Sequence, residues 1–193
     1  ERKAYPLLLL IGGILGVFAA FMLSIDRMKI LENPNFKPEC SINPIIACGP
    51  VMSSPEGRVF GFPNPFLGLV AYALVANLGA LILAKVILPR WYWLTFNAGM
   101  LFALGFVHWL IQATLYDIGA ICLYCSLVWA VTIPIFLYTT LYNLKKGYLP
   151  TPKSLQGVVA FAQRHHFDIL IVWFLIIIGL ILNRFWYYWS TLI

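Results

Sequence analysis

Charge is scarce in this chain: Asp, Glu, Lys and Arg together make up 10% of its 193 residues. A soluble domain carries roughly a quarter, so water is excluded as the main solvent of the fold. Regular apolar–polar alternation is missing as well, which argues against a membrane β-barrel. No glycine-rich signature follows a strand-like run, which leaves no recognisable dinucleotide or flavin site. Histidine occurs three times, and no two lie in spans where they could clamp a haem. Internal repeats and low-complexity tracts are absent, and so is any stretch polar enough to make a second, soluble domain. Cysteine occurs only four times.

Apolar residues fill the space that charge leaves. They make up 62% of the chain, and five runs reach the roughly 20 residues that a bilayer core demands. These runs lie at about 5–25, 65–88, 93–113, 118–142 and 169–189. The expected fold is all-α and integral to a membrane, one transmembrane domain over residues 1–193. The first run, "YPLLLLIGGILGVFAAFMLSI", is too long for a removable signal peptide and lacks a small-residue cleavage site.

Positive charge near the span ends sets the orientation. Arg2 and Lys3 precede the first span, and Lys85 and Arg90 flank the turn between the second and third. Lys145, Lys146, Lys153 and Arg164 lie between the fourth and fifth. With simple alternation all of these fall on one side, which is expected to be cytoplasmic and to hold the N-terminus. The net charge of +6 then reflects topology and gives no reason to invoke nucleic acid. The opposite side receives the segment of about 26–64, where Arg27, Lys29, Lys37 and Arg58 are balanced by Asp26, Glu32, Glu39 and Glu56. It also receives the turn containing Asp117. All four cysteines therefore belong to the outer face.

The outer segment is long for a loop, yet Ile45, Ile46, Val51, Met52, Phe60, Phe62 and Phe66 make it too apolar to hang free in water. Asn43 followed by Pro44 reads as a helix cap and first helical position. A short helix over about 44–53, bent at Gly49-Pro50, is expected to lie on the membrane surface as a lid.

Cys122 and Cys125, in "IGAICLYCSL", are three apart, on one helical face and within disulfide reach. In the first turns of the fourth span, the helix N-terminus would make them better nucleophiles and leaving groups. Cys40 and Cys48 are eight apart and close enough to pair if the loop folds back, with Cys40 expected to be the most exposed of the four. Taken singly, the loop pair reads as an inert disulfide and the helix pair as packing cysteines. Two pairs at one oxidising face, with no other cysteine, read instead as a relay of exchanging disulfides. A zinc site of four cysteines normally uses two tight knuckles, which the eight-residue spacing fits poorly, so no metal is expected. His108, near the middle of the third span, reads as a packing residue.

Electrons leaving a thiol pair inside a bilayer need an acceptor. A lipid-soluble quinone would reach the outer half laterally, and it would want aromatic walls and a donor for its carbonyl oxygen. Asn64, in "FGFPNPFLG", offers that donor. On spacing alone it is equally a turn residue or helix cap before Pro65.

The segments "CSINPIIACGPVMSS", "FGFPNPFLG" and "LYDIGAICLYC" resemble the vitamin K epoxide reductase family, particularly its bacterial members, over roughly residues 5–142. The order of the pairs separates the chain from the DsbB family, whose Cys-x-x-Cys lies in the first outer loop. The resemblance implies a four-helix transmembrane bundle around a quinone, a fifth transmembrane helix, and an extracytoplasmic loop with a horizontal half-helix as cap. It implies that Cys40 takes electrons from a partner, Cys48 carries them inward, Cys122 receives them and Cys125 faces the quinone. Ser54 matches a family serine or threonine near the site, and Asn64 matches the quinone-bonding asparagine. Met52 and Trp129 complete the candidate quinone pocket. Trp129 stands where vertebrate members have a tyrosine one turn after the second thiol. That removes one hydrogen bond and favours ordinary quinone reduction over epoxide reduction.

Many bacterial members carry a thioredoxin-like domain after the fifth helix, whereas this sequence ends at Ile193. The expectation is the actinobacterial arrangement without a fused domain, a separate DsbA-like thioredoxin-fold partner, and menaquinone as acceptor. The expected activity is quinone-dependent thiol–disulfide oxidation in a bacterial inner or plasma membrane, in support of disulfide bond formation. The alternative is a non-catalytic transport or scaffold protein with two structural disulfides.

Overall fold

The structure, a computed structural model, describes residues 4–190; Arg2, Lys3 and Ile193 lie outside them. Among the described residues there is no strand, only one isolated bridge between Ile46 and Ile121. The helices are α1 (Ala4–Glu32), α2 (Cys48–Ser53), α3 (Asn64–Leu83), α4 (Arg90–Gln112), α5 (Leu123–Lys145), α6 (Gln156–Arg164), α7 (His166–Arg184) and α8 (Trp186–Trp189). Five stretches are long and apolar enough to cross a membrane: α1, α3, α4 with its π-helical continuation to Ile118, α5 and α7. The fold is all-α.

The chain divides into two compact units. The first runs to Ile87 and resumes at Phe106–Thr132; the second takes Leu88–Gly105 and the residues from Ile133 onward.

In the first unit α1 and α3 form the most intimate pair, and the sequence shows why. "LIGGILGVFAA" sets Gly12, Gly13, Gly16, Ala19 and Ala20 on a buried stripe of α1. Without an apolar driving force in lipid, helices associate where small residues let backbones approach. Gly13 lies against the backbone of Ala76, Gly16 against the ring of Tyr72, and Gly79 against the backbone of Pro6 and Leu10. Tyr72 then links α3 to α5 through its hydroxyl, 2.5 Å from Thr132 Oγ1. The Thr132 hydroxyl spends its one proton on the carbonyl of Val128 at 2.6 Å, so Tyr72 is the donor to it.

α1 is 29 residues long, about 43 Å at 1.5 Å per residue, against roughly 30 Å of hydrocarbon. A helix of that length must tilt or project from the core, and Asp26 and Arg27 in its last turns are buried. The loop that follows folds back over them.

In the second unit polar contacts add to a buried core that includes Ile133, Ile135, Leu137, Leu141 and Ile177. Asn143, fully buried, donates through Nδ2 to Asn97 Oδ1 at 2.8 Å and to the Trp93 carbonyl at 3.2 Å. Arg90 donates from Nε and Nη2 to the Tyr148 carbonyl at 3.1 and 2.8 Å. The Tyr138 hydroxyl meets His166 Nδ1 at 2.9 Å, which fixes the start of α7 against α5.

The small-residue stripe yields a stability test. A Cβ at position 79 would stand 2.5 Å from the Leu10 nitrogen and 2.8 Å from the Pro6 oxygen, both backbone atoms. Overpacking of this kind costs about 1–3 kcal/mol, so Gly79→Val should lower the thermal midpoint in detergent. Gly179→Ala, with nothing within 4 Å, should leave it unchanged or slightly raised. Equal midpoints for Gly79→Val and the parent would show that α1 and α3 are not closely packed.

Candidate functional site

The segment between α1 and α2 is organised by short-range polar contacts before it reaches a helix. Asn43 Oδ1 accepts from the backbone of Ile45 and Ile46 at 2.9 and 2.7 Å, closing a turn instead of opening a helix. The short helix consequently starts later than the Asn43-Pro44 signal suggests, at Cys48, with Gly49 and Pro50 in its first turn. Proline is accommodated there because the first-turn N–H groups have no intrahelical acceptor.

Between the turn and α2 the chain pairs with a distant segment. The Ala47 N–H donates to the Ile121 carbonyl at 2.9 Å, and the Ile121 N–H donates to the Ile45 carbonyl at 2.7 Å. This parallel bridge sets the residue after Ala47 and the residue after Ile121 side by side in the chain's course. Those residues are Cys48 and Cys122. The Ile121 segment is in turn positioned by Gly119, whose φ of 72° is a left-handed conformation open to glycine at little cost. Its N–H closes the π-helical end of α4 on the Thr114 carbonyl at 3.0 Å. Because that turn extends to Ile118 and α5 opens only at Leu123, Cys122 sits just before the helix and not within its first turn.

Cys40 and Cys48 form a disulfide, their Cα atoms 5.8 Å apart. Cys122 and Cys125 are free thiols. Cys40, Cys48 and Cys122 share one buried cluster with Leu23, Val51, Met52 and Ala120, and Cys125, Tyr124 and Ile118 pack against it. The structure thus gathers all four cysteines and Met52. Cys40 is only 5% exposed, against the expectation that it would be the most accessible. The disulfide draws it down onto Cys48, while Lys37, Glu39, Ser41 and Ile42 around it stay exposed.

The Cys125 N–H lies 3.4 Å from Cys122 Sγ. The Cys122 thiol is drawn below its ordinary range, chiefly by the hydrogen bond from the Cys125 side chain, with the Cys125 and Tyr124 N–H groups assisting. Burial and the carboxylate of Asp26 oppose that shift. Asp26 is a residue that sequence reasoning passed over, counting it only toward the loop's charge balance. An acidic side chain at the end of an apolar span was the signal.

Ser54, Asn64 and Trp129 lie outside the cysteine cluster. Ser54 Oγ caps the 3₁₀ turn Pro55–Arg58, accepting from the Gly57 N–H at 3.2 Å and donating to the Val51 carbonyl at 3.0 Å. Asn64 holds the same turn from the other end. Its Nδ2 donates to the Glu56 carbonyl at 2.6 Å, and its Oδ1 accepts from the Val59 N–H at 3.2 Å. Trp129 is buried on α5, four residues after Cys125. Among the described residues no three His, Cys, Asp or Glu side chains come together as a metal-holding group.

Of the residues expected at a quinone, Met52 lies in the cysteine cluster and Cys125 packs against it. Asn64 Nδ2 carries two protons, one of which is committed to Glu56, leaving one for a carbonyl oxygen. Met52 and Trp129 are apolar, and Cys125 is only half-buried. The donor set is chemically suited to a flat, apolar molecule with acceptor oxygens.

Among curated proteins none matches the chain closely enough to count as a relative. The Vitamin K epoxide reductase family matches it over residues 7–140, a span that holds both cysteine pairs and the loop between them. With five helices long and apolar enough to cross a membrane, four of them largely within that span together with both cysteine pairs, the chain belongs to the vitamin K epoxide reductase family and is a membrane oxidoreductase of thiols and disulfides.

Proposed function

We propose that the protein passes two electrons at a time from an extracytoplasmic dithiol to a quinone, through Cys40–Cys48 and then Cys122–Cys125. The observation that carries this reading is the Ile46–Ile121 bridge, which leads Cys48 and Cys122 into one buried cluster. A pair of merely structural disulfides would need no such meeting.

Thiol–disulfide exchange proceeds by attack of a thiolate on a disulfide sulfur. A partner dithiol attacks Cys40, forms a mixed disulfide and leaves as a disulfide, so that Cys40 and Cys48 are reduced. Cys48 then attacks Cys122 of the Cys122–Cys125 bond and releases Cys125 as a thiolate. Cys40 attacks Cys48, which restores Cys40–Cys48 and leaves Cys122 and Cys125 as a dithiol. A bound quinone supplies the sink for those two electrons and two protons.

Since Cys40 is shielded in its disulfide, docking of the partner has to lift the exposed rim around Ser41 and Ile42. The partner that suits this chemistry is a DsbA-like thioredoxin-fold protein, and menaquinone is the acceptor proposed for a bacterial plasma membrane. Met52, Trp129 and the free proton of Asn64 Nδ2 would hold the quinone, while Ser54 would act at one remove by holding the turn that Asn64 braces. The cysteines would face outward, with Lys145 and Lys146 cytoplasmic.

Three measurements test this reading. In Cys40→Ala the link between the pairs has no resolving thiol. Non-reducing peptide mapping should therefore find a Cys48–Cys122 disulfide, with turnover of the partner lost. Finding Cys48 free and partner oxidation undiminished would refute the proposed order. Asn64→Ala should raise the quinone KM or lower turnover by about 2- to 13-fold, the equivalent of about 0.5–1.5 kcal/mol for one neutral hydrogen bond. Unchanged quinone kinetics would remove Asn64 from the site. Finally, a cysteine placed at Lys146 in an otherwise cysteine-free chain should resist membrane-impermeant thiol reagents added to intact cells. Labelling from outside would reverse the topology.

A further inference from the structure

Among the described residues Asp26 is the one buried carboxylate, and no step of the thiol exchange uses it. Its position on α1 is specific. With 3.6 residues per turn, Leu23, Asp26, Arg27 and Ile30 fall within about 100° of the helix circumference. Leu23 belongs to the cysteine cluster and Ile30 packs against it, so this arc of α1 faces the thiols. Asp26 is 6% exposed, and Cys48 and Cys122 are fully buried. A carboxylate withdrawn from water is costly, and here it is withdrawn beside reactive sulfur.

The groups that act with it come from three segments. On α1, Lys29 attracts its negative charge, while the Lys29 ammonium also lies 5.3 Å from the centroid of the Phe36 ring. Arg27 is buried on the other flank of the same arc. From the segment before α2, the exposed Glu39 repels it. At the start of α5, Cys122 and the phenol of Tyr124 both feel its field. Two influences therefore meet at Cys122: the hydrogen bond from the Cys125 side chain favours a thiolate there, and the Asp26 carboxylate opposes one. Away from water, two neighbouring negative charges repel strongly.

This opposition matters for the chemistry at the inner pair. A quinone becomes a hydroquinone only by taking two protons with its two electrons. A pair already ionised at Cys122 brings one proton, and a second would have to enter a buried site. We propose that Asp26 is a positioning residue for the proton of the inner pair, holding it on Cys122 at neutral pH against the pull of Cys125. In the last transfer both S–H bonds break and the Cys122–Cys125 bond forms. The quinone takes the two electrons and the two protons. This role rests on the proposed relay for its use, but its test requires neither protein partner nor quinone.

Equilibration of the purified chain with oxidised and reduced dithiothreitol, followed by alkylation and peptide mapping of Cys122 and Cys125, gives the reduction potential of the inner pair against pH. In the parent the slope should correspond to two protons per electron pair through neutral pH. In Asp26→Asn the break to a one-proton slope should come about one pH unit lower, an ordinary size for the loss of a neighbouring charge. Asp26→Glu should restore the parent's break. A one-proton slope in the parent at neutral pH would overturn the proposal without any variant, so the test survives if Asp26→Asn does not fold. A break in Asp26→Asn at the parent's pH would overturn it too, since a carboxylate that only supports the fold predicts that result. Either outcome would leave the Cys48–Cys122 link expected in Cys40→Ala to be judged separately.

Discussion

Two backbone hydrogen bonds, from Ala47 to Ile121 and from Ile121 to Ile45, are the constraint on which the arrangement of the thiols depends. α2 has six residues, far fewer than a helix needs to persist alone in water. What fixes it is its tethering. The bridge holds its N-terminal side, the disulfide ties it to Cys40, and burial of Val51 and Met52 holds its inner face. Behind it, Ser54 and Asn64 grip the Pro55–Arg58 turn from both ends. Removing the bridge would leave Cys48 attached to the loop but without a defined route to Cys122.

That arrangement also explains how a polar, reactive cluster coexists with a membrane fold. The last turns of α1, with Leu23, Asp26 and Arg27 buried, serve as a wall for the loop. Leu23 enters the cysteine cluster from this wall, and Asp26 brings a carboxylate whose field reaches Cys122. Charges removed from water act over longer distances than exposed ones. The Asp26 carboxylate there works against a thiolate at Cys122, while the hydrogen bond from Cys125 works for it and is the larger influence.

The sequence made the spans legible because hydrophobic length is a direct consequence of bilayer thickness, and α1, α3, α4, α5 and α7 are each long and apolar enough to cross it. The family was legible from three short segments with their cysteines. The meeting of Ile46 with Ile121 was not, since residues 75 apart leave no local periodic trace when only one pair of them bonds. The start of α2 was misplaced for a related reason. Asn43 has the same preference for capping a helix and for closing an Asx turn, and which one wins depends on Ile121 being available to take the next donor. Asn64 carried both readings in the sequence, quinone donor and turn residue. The structure fills the second with Glu56 and Val59 and leaves one amide proton for the first.

The inner pair shows how two thiols three residues apart can take different roles in the proposed relay. With both reduced, the Cys125 side chain hydrogen-bonds to Cys122, which makes Cys122 the better place for negative charge. Once Cys48 bonds to Cys122, that sulfur is no longer available as a thiolate, and Cys125 must carry the charge itself. Cys125 stands within the first turn of α5, three residues beyond Cys122. Bond formation at Cys122 would thus move the charge from the protein-facing sulfur to the one nearer the span. The same exchange that delivers electrons would deliver the reactive anion, with no movement of the helices.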